Sequence, residues 1–133
     1  FVPWGPVGMG YLTGTLNAQT HFDPKTDLRS GFDRFTPENL AANWPFVAKL
    51  KAVADSKGAT PSQIALAWLL AKKPWIVPIP GTRNVNHLHE NHGALGIQFT
   101  AAELKDIDLA MAGLRVYGGR MNKAQMDIVE PKA

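Results

Sequence analysis

The segment Ile79-Pro80-Gly81-Thr82-Arg83-Asn84 concentrates groups able to hold an anion. Gly81 lets backbone approach a ligand closely, Thr82 offers a hydroxyl, and Arg83 presents a planar, always charged fork that suits phosphate. The residues after Asn84 read as a helix, whose first amides favour negative charge. Along it His87, Glu90 and Asn91 recur at spacings of three and four, so one face carries all three toward whatever the turn binds. The same pattern also describes an ordinary strand-to-helix turn, with Asn84 as cap and a solvated polar face.

Trp4, just before Gly5-Pro6, offers a flat apolar surface that can stack on a planar ligand; filling a core is the other use of such a residue. Gly5-Pro6-Val7-Gly8-Met9-Gly10 lacks the Lys-Ser/Thr of a phosphate-binding P-loop and opens no helix promptly. His87 and His89 point to opposed sides of a helix, and no Glu or Cys joins the histidines at a recognised metal spacing, so no metal site is expected. His92 falls in the Val85, Leu88, Leu95 stripe and reads as a buried or half-buried structural histidine. Tyr11 and Tyr117 have no Lys or His nearby in sequence to make an acid catalyst, and His21 with Asp23 is a loop pair.

The elements that must position these groups follow from punctuation and period. Phe1 to Trp4 and Trp75 to Ile79 are short apolar runs expected to be two parallel strands, the second covered on both faces. Gly8 to Phe35 has no sustained helical period and is expected to be a long surface loop. Thr36-Pro37 starts a helix that runs to Gly58, its stripe being Leu40, Trp44, Val47, Leu50 and Val53. Pro45 should kink it or force a restart capped by Asn43. Thr60-Pro61-Ser62-Gln63 and Thr100-Ala101-Ala102-Glu103 are capping boxes that open two further helices. Between them Val85 to Leu95 is helical, and a polar arm occupies 115–133.

Strands alternating with helices give an α/β protein with parallel pairing. A chain of 133 residues suits one domain, 1–133, and a net charge of +3, evenly spread, does not suggest a nucleic-acid groove. The absence of Cys removes disulfides, thiolate zinc sites and cysteine nucleophiles, and fits a reducing cytosol. No apolar run approaches the roughly 20 residues of a membrane helix. A cytoplasmic protein without nucleic-acid or membrane partners is the expectation. Because the chain begins at Phe1 with apolar residues and its two strands lack neighbours, it is expected to be part of a larger fold.

Taken together, Phe1 to Gly14, Thr60 to Leu70, Ile76 to Arg83 and the Glu90-Asn91 pair resemble the aldo/keto reductase superfamily, in family order. The resemblance implies the C-terminal part of a (β/α)8 TIM barrel, truncated at its N-terminal side, from an enzyme that transfers hydride between NADPH and a carbonyl or alcohol. By position, Trp4 would stack on the nicotinamide, and Gly5, Val7 and Met9 would line the pyrophosphate side. Gly81, Thr82, Arg83, His87, Glu90 and Asn91 would hold the adenosine end, with Thr82 and Arg83 nearest the 2′-phosphate. The family's catalytic Asp, Tyr, Lys and His have no counterpart here, so no catalytic residue is assigned and the isolated segment should be inactive. Gly5 stands where Ser is common, His87 where Arg is frequent, and His92 where Leu is usual. The alternative is a barrel of this type that senses nucleotide as a channel-associated subunit with little turnover. Substrate and oligomeric state are not encoded in these residues.

Overall fold

The computed structural model describes residues 1–129; the last four positions of the expected arm, 130–133, lie outside the described residues. Among the described residues there are five α-helices: α1 Pro37–Lys57, α2 Pro61–Lys72, α3 Val85–Gly93, α4 Ala101–Ala112 and α5 Lys123–Val129. The chain forms two compact units, one of Phe1–Thr15 with Pro45–Leu114, the other of Leu16–Trp44 with the residues from Arg115 on.

The first unit is built around α2. Its entry is the capping box expected from sequence, since Thr60 Oγ1 accepts from Gln63 N and Gln63 Oε1 accepts from Thr60 N. Pro61 at the first helical position loses no bond, because that amide has no intrahelical acceptor. Ile64, Ala65, Leu66 and Ala67 are buried in succession, so opposite faces of α2 serve two clusters. One joins Ile64 and Ala65 to Leu50 and Ala54 of α1. The other joins Leu66 and Ala67 to Ala94, with Val7, Ile97 and Phe99 against it. The α4 helix has the second capping box, Thr100 with Glu103, and buries Ile107. Trp68 Nε1 donates to Asp108 Oδ1 at 2.9 Å, and Lys72 pairs with the same carboxylate, tying α2 to α4.

The two expected parallel strands are absent among the described residues. A single parallel bridge joins Trp4 to Ile79, with Val77 N donating to Phe1 O and Ile79 N to Pro3 O. Pro3 has no amide to donate to Val77 O, the bond that the preceding rung of a parallel ladder would need, so the pairing does not extend back from Trp4. Nor is the Trp75 to Ile79 run covered on both faces: Trp75, Val77 and Ile79 are exposed.

The second unit departs from the loop expected over Gly8 to Phe35. Two short 3₁₀ turns, Leu28–Gly31 and Asp33–Phe35, fold it around Phe32 and Phe35, which are buried and meet edge to face. Arg29 pairs with Asp27 and lies over the Phe22 ring. The remaining 3₁₀ turn of the segment, Gly8–Thr13, belongs to the first unit.

The restart expected as one outcome at Pro45 does not occur: α1 runs on through that residue. Its buried positions are Leu40, Asn43, Val47, Leu50 and Ala54, spaced alternately by three and four, while Trp44 is exposed. Asn43 is therefore part of the buried stripe and not a cap.

Candidate functional site

Every sequence-predicted site residue lies in the first unit. The parallel bridge decides their arrangement. Because Trp4 and Ile79 are paired with both chains running the same way, the loop from Gly5 and the turn from Pro80 leave the pair at one end. Trp4, at that end, is 51% exposed.

The loop after Trp4 is coiled tightly by residues in the left-handed region. Gly5, Gly8, Met9 and Gly10 all have positive φ, Met9 at 52° being the non-glycine among them. Gly8 N donates to Gly5 O, and Gly10 N and Leu12 N both donate to Val7 O. Val7 is half-buried against the Leu66, Ala67 and Ala94 cluster, which anchors the loop, and Tyr11 behind it is buried. That burial pushes the Tyr11 phenol up to about 12, so it stays protonated at neutral pH.

The turn after Ile79 is exposed at Gly81, Thr82 and Arg83. Thr82 Oγ1 accepts from Asn84 N at 3.0 Å, and Asn84 Oδ1 accepts from Asn86 N at 2.8 Å. Asn84 thus caps α3 as its residue type suggests, and Arg83 stands with an exposed guanidinium at the positive end of that helix. A planar cation beside a helix N-terminus suits a phosphate group.

On α3 and the 3₁₀ turn that follows it, Ala94–Gly96, the structure reverses the face expected to be buried. Val85, Leu88 and Leu95 are exposed, as is His92, whereas Glu90 and Asn91 are half-buried and Ala94 is buried. The apolar stripe is thus not the docking face. Polar bonds hold α3 to α2 instead: Thr60 Oγ1 donates to Glu90 Oε1 at 2.6 Å, and Gln63 Nε2 donates to Glu90 O at 3.0 Å. His87 is exposed one turn before Glu90 and Asn91, so the three remain neighbours along the helix. Thr60 and Gln63 are legible in the sequence only as a capping box. The box uses their acceptor atoms and leaves a hydroxyl hydrogen and an NH2 group to donate, but nothing in the spacing says to what. Among the described residues no cluster of three or more His, Cys, Asp or Glu is placed to hold a metal ion.

Comparison with known proteins gives the lineage. The model of the aldo/keto reductase family matches residues 1–112. The chain is 40% identical over 119 residues to the aldo-keto reductase yakc of Schizosaccharomyces pombe, whose name specifies NADP(+); the match covers 90% of this chain and 35% of that protein. It is 38% identical over 103 residues to the aldo-keto reductase str7 of Strobilurus tenacellus, covering 77% of this chain and 30% of that protein. The chain therefore spans about a third of the length of these curated relatives. With the bridge, the glycine loop and the Arg83 turn all inside the matched residues, the chain belongs to the aldo/keto reductase family.

Proposed function

We propose that this chain supplies the dinucleotide-binding part of an NADPH-dependent reductase, as the C-terminal portion of a (β/α)8 barrel. The observation that carries the reading is the parallel Trp4 to Ile79 bridge, because two segments leaving one edge in the same direction can serve two ends of one extended ligand. Trp4 would hold the nicotinamide, and the Gly5, Val7 and Met9 loop the pyrophosphate. Gly81 and Thr82 would admit the adenosine ribose, Arg83 would hold its 2′-phosphate, and His87, Glu90 and Asn91 would hold the adenine. The residues fit such a ligand chemically: a half-exposed indole at one end, an exposed guanidinium at a helix start at the other.

The chemistry such a dinucleotide would supply when bound is hydride transfer, to the carbonyl carbon of an aldehyde or ketone or from an alcohol. The chain's own contribution is orientation. Fixing the ring and the phosphates removes translational and rotational freedom before reaction, which lowers the barrier without any proton transfer by these residues. The test is cofactor titration of the whole protein. An Arg83→Ala change should raise the Kd for NADPH by about tenfold or more, because a charge-assisted phosphate contact is lost, and that for NADH by less than about threefold. Equal effects on both cofactors would remove Arg83 from the 2′-phosphate, and a protein that neither binds nor oxidises NADPH would overturn the reading.

A further inference from the structure

We infer that Thr60 and Gln63 are positioning residues for the adenosine end of the site, holding the Glu90 carboxylate and the helical turn that carries it. The inference rests on the proposed assignment of the α3 polar face to the cofactor. Thr60 has two functions at once. Its Oγ1 accepts from Gln63 N within the capping box, and its hydroxyl hydrogen goes to Glu90 Oε1 at 2.6 Å, a short, charge-assisted contact. That contact engages one carboxylate oxygen and leaves the other for a ligand donor.

Gln63 is divided in the same way. Its Oε1 accepts from Thr60 N, while its Nε2 donates to the backbone oxygen of Glu90. That oxygen lies in the last turn of α3, where helical carbonyls run out of amide partners; Ala94 N turns to Asn91 O and His92 O. Gln63 thus supplies Glu90 O with a donor where Ala94 N turns elsewhere.

Gly93 makes room for this. A Cβ there would fall 2.4 Å from Gln63 Nε2, although Gly93 has an ordinary helical backbone that alanine adopts without strain. Glycine at this position is therefore a matter of space for the Gln63 amide. The outward stripe of Val85, Leu88 and Leu95 supplies no alternative apolar dock for α3, so its rotation about its own axis is set by the bonds at Glu90 and the burial of Ala94.

The experiment measures Kd for NADPH and for NADH, together with melting temperature, on the whole protein and its Thr60→Val, Thr60→Ser, Gly93→Ala, Glu90→Ala and Arg83→Ala variants. Thr60→Val should raise both Kd values by about tenfold, since the adenine is common to the two cofactors, and Thr60→Ser should restore them to within about twofold. Gly93→Ala should push the Gln63 amide aside and raise both Kd values with little change in melting temperature, which keeps the inference testable even if Thr60→Val folds poorly. A merely structural role would lower the melting temperature and leave both affinities in place. Unchanged affinities in Thr60→Val and Gly93→Ala, with weakened binding in Glu90→Ala, would overturn the positioning role alone. Unchanged affinities in Glu90→Ala and Arg83→Ala as well would show that the adenosine assignment itself is wrong, and the inference with it.

Discussion

Asn43 holds the backbone of Tyr117 with both ends of its amide: Nδ2 donates to Tyr117 O at 2.8 Å, and Oδ1 accepts from Tyr117 N at 2.9 Å. A side chain here replaces the pairing that a neighbouring strand would give. Asn43 is 2% exposed, so its own polar atoms have little recourse to water. Asn43→Ala removes both bonds and should cost about 2 kcal/mol, read as a lower urea midpoint at unchanged slope. A loss under about 0.5 kcal/mol would show that water replaces the amide.

Gly118 and Gly58 both have positive φ, at +78° and +60°, yet their surroundings differ. A Cβ on Gly118 would meet Arg34 N and Cα at 2.5 Å, whereas one on Gly58 meets open space. Backbone cannot swing aside as a side-chain tip can. Gly58→Ala should therefore cost only the left-handed penalty, about 1 kcal/mol. Gly118→Ala adds displacement of the Arg34 backbone and should cost on the order of 3 kcal/mol. Thermal unfolding of the two variants distinguishes them, and equal losses would mean that the Arg34 segment relaxes freely.

The contrast between these glycines and the capping boxes shows what a sequence can carry. Thr60-Pro61-Ser62-Gln63 and Thr100-Ala101-Ala102-Glu103 are legible because their reciprocal bonds close within four residues, and both form as read. The fate of the Gly118 Cβ, or of Asn43, depends on a segment more than seventy residues away. The face of α3 is misread for a related reason. An apolar stripe counts toward burial only when something apolar arrives to cover it, and here Thr60 and Gln63 bring polar groups to the opposite side. The two strands fail because pattern reports apolar preference, while the rung before Trp4 needs an amide that Pro3 lacks. The Arg83 turn is legible by chemistry, since exposed cation, glycine and helix start are all local.

Glu103 should govern part of the response to acid. Lys57 Nζ lies 2.5 Å from Glu103 Oε1, and Thr100 N donates to Oε2 at 2.7 Å. First the Lys57 hydrogen bond and then the Thr100 amide pull the carboxyl from its ordinary 4.5 down to about 2. A group whose folded value lies below its unfolded one stabilises the fold above the unfolded value and loses that contribution as pH falls through the folded one. The window is therefore between pH 4.5 and about pH 2. Glu103→Gln should melt below the parent at neutral pH, and the gap should narrow across that window. A gap independent of pH would assign the loss to the capping box and not to the charge.

Trp4 gives the last test, because the proposed site assigns its indole to the nicotinamide end and Arg83 to the adenosine end. Trp4 is 51% exposed at the parallel bridge. Stacking contributes about 0.5–1.5 kcal/mol beyond area, so Trp4→Leu should weaken NADPH and NADH alike by roughly three- to tenfold. Arg83→Ala, by contrast, should separate the two cofactors, and in the double variant the losses should add, since the groups act on opposite ends of the ligand. Strong coupling between the two substitutions would mean that indole and guanidinium share one contact, which a dinucleotide stretched between them does not allow.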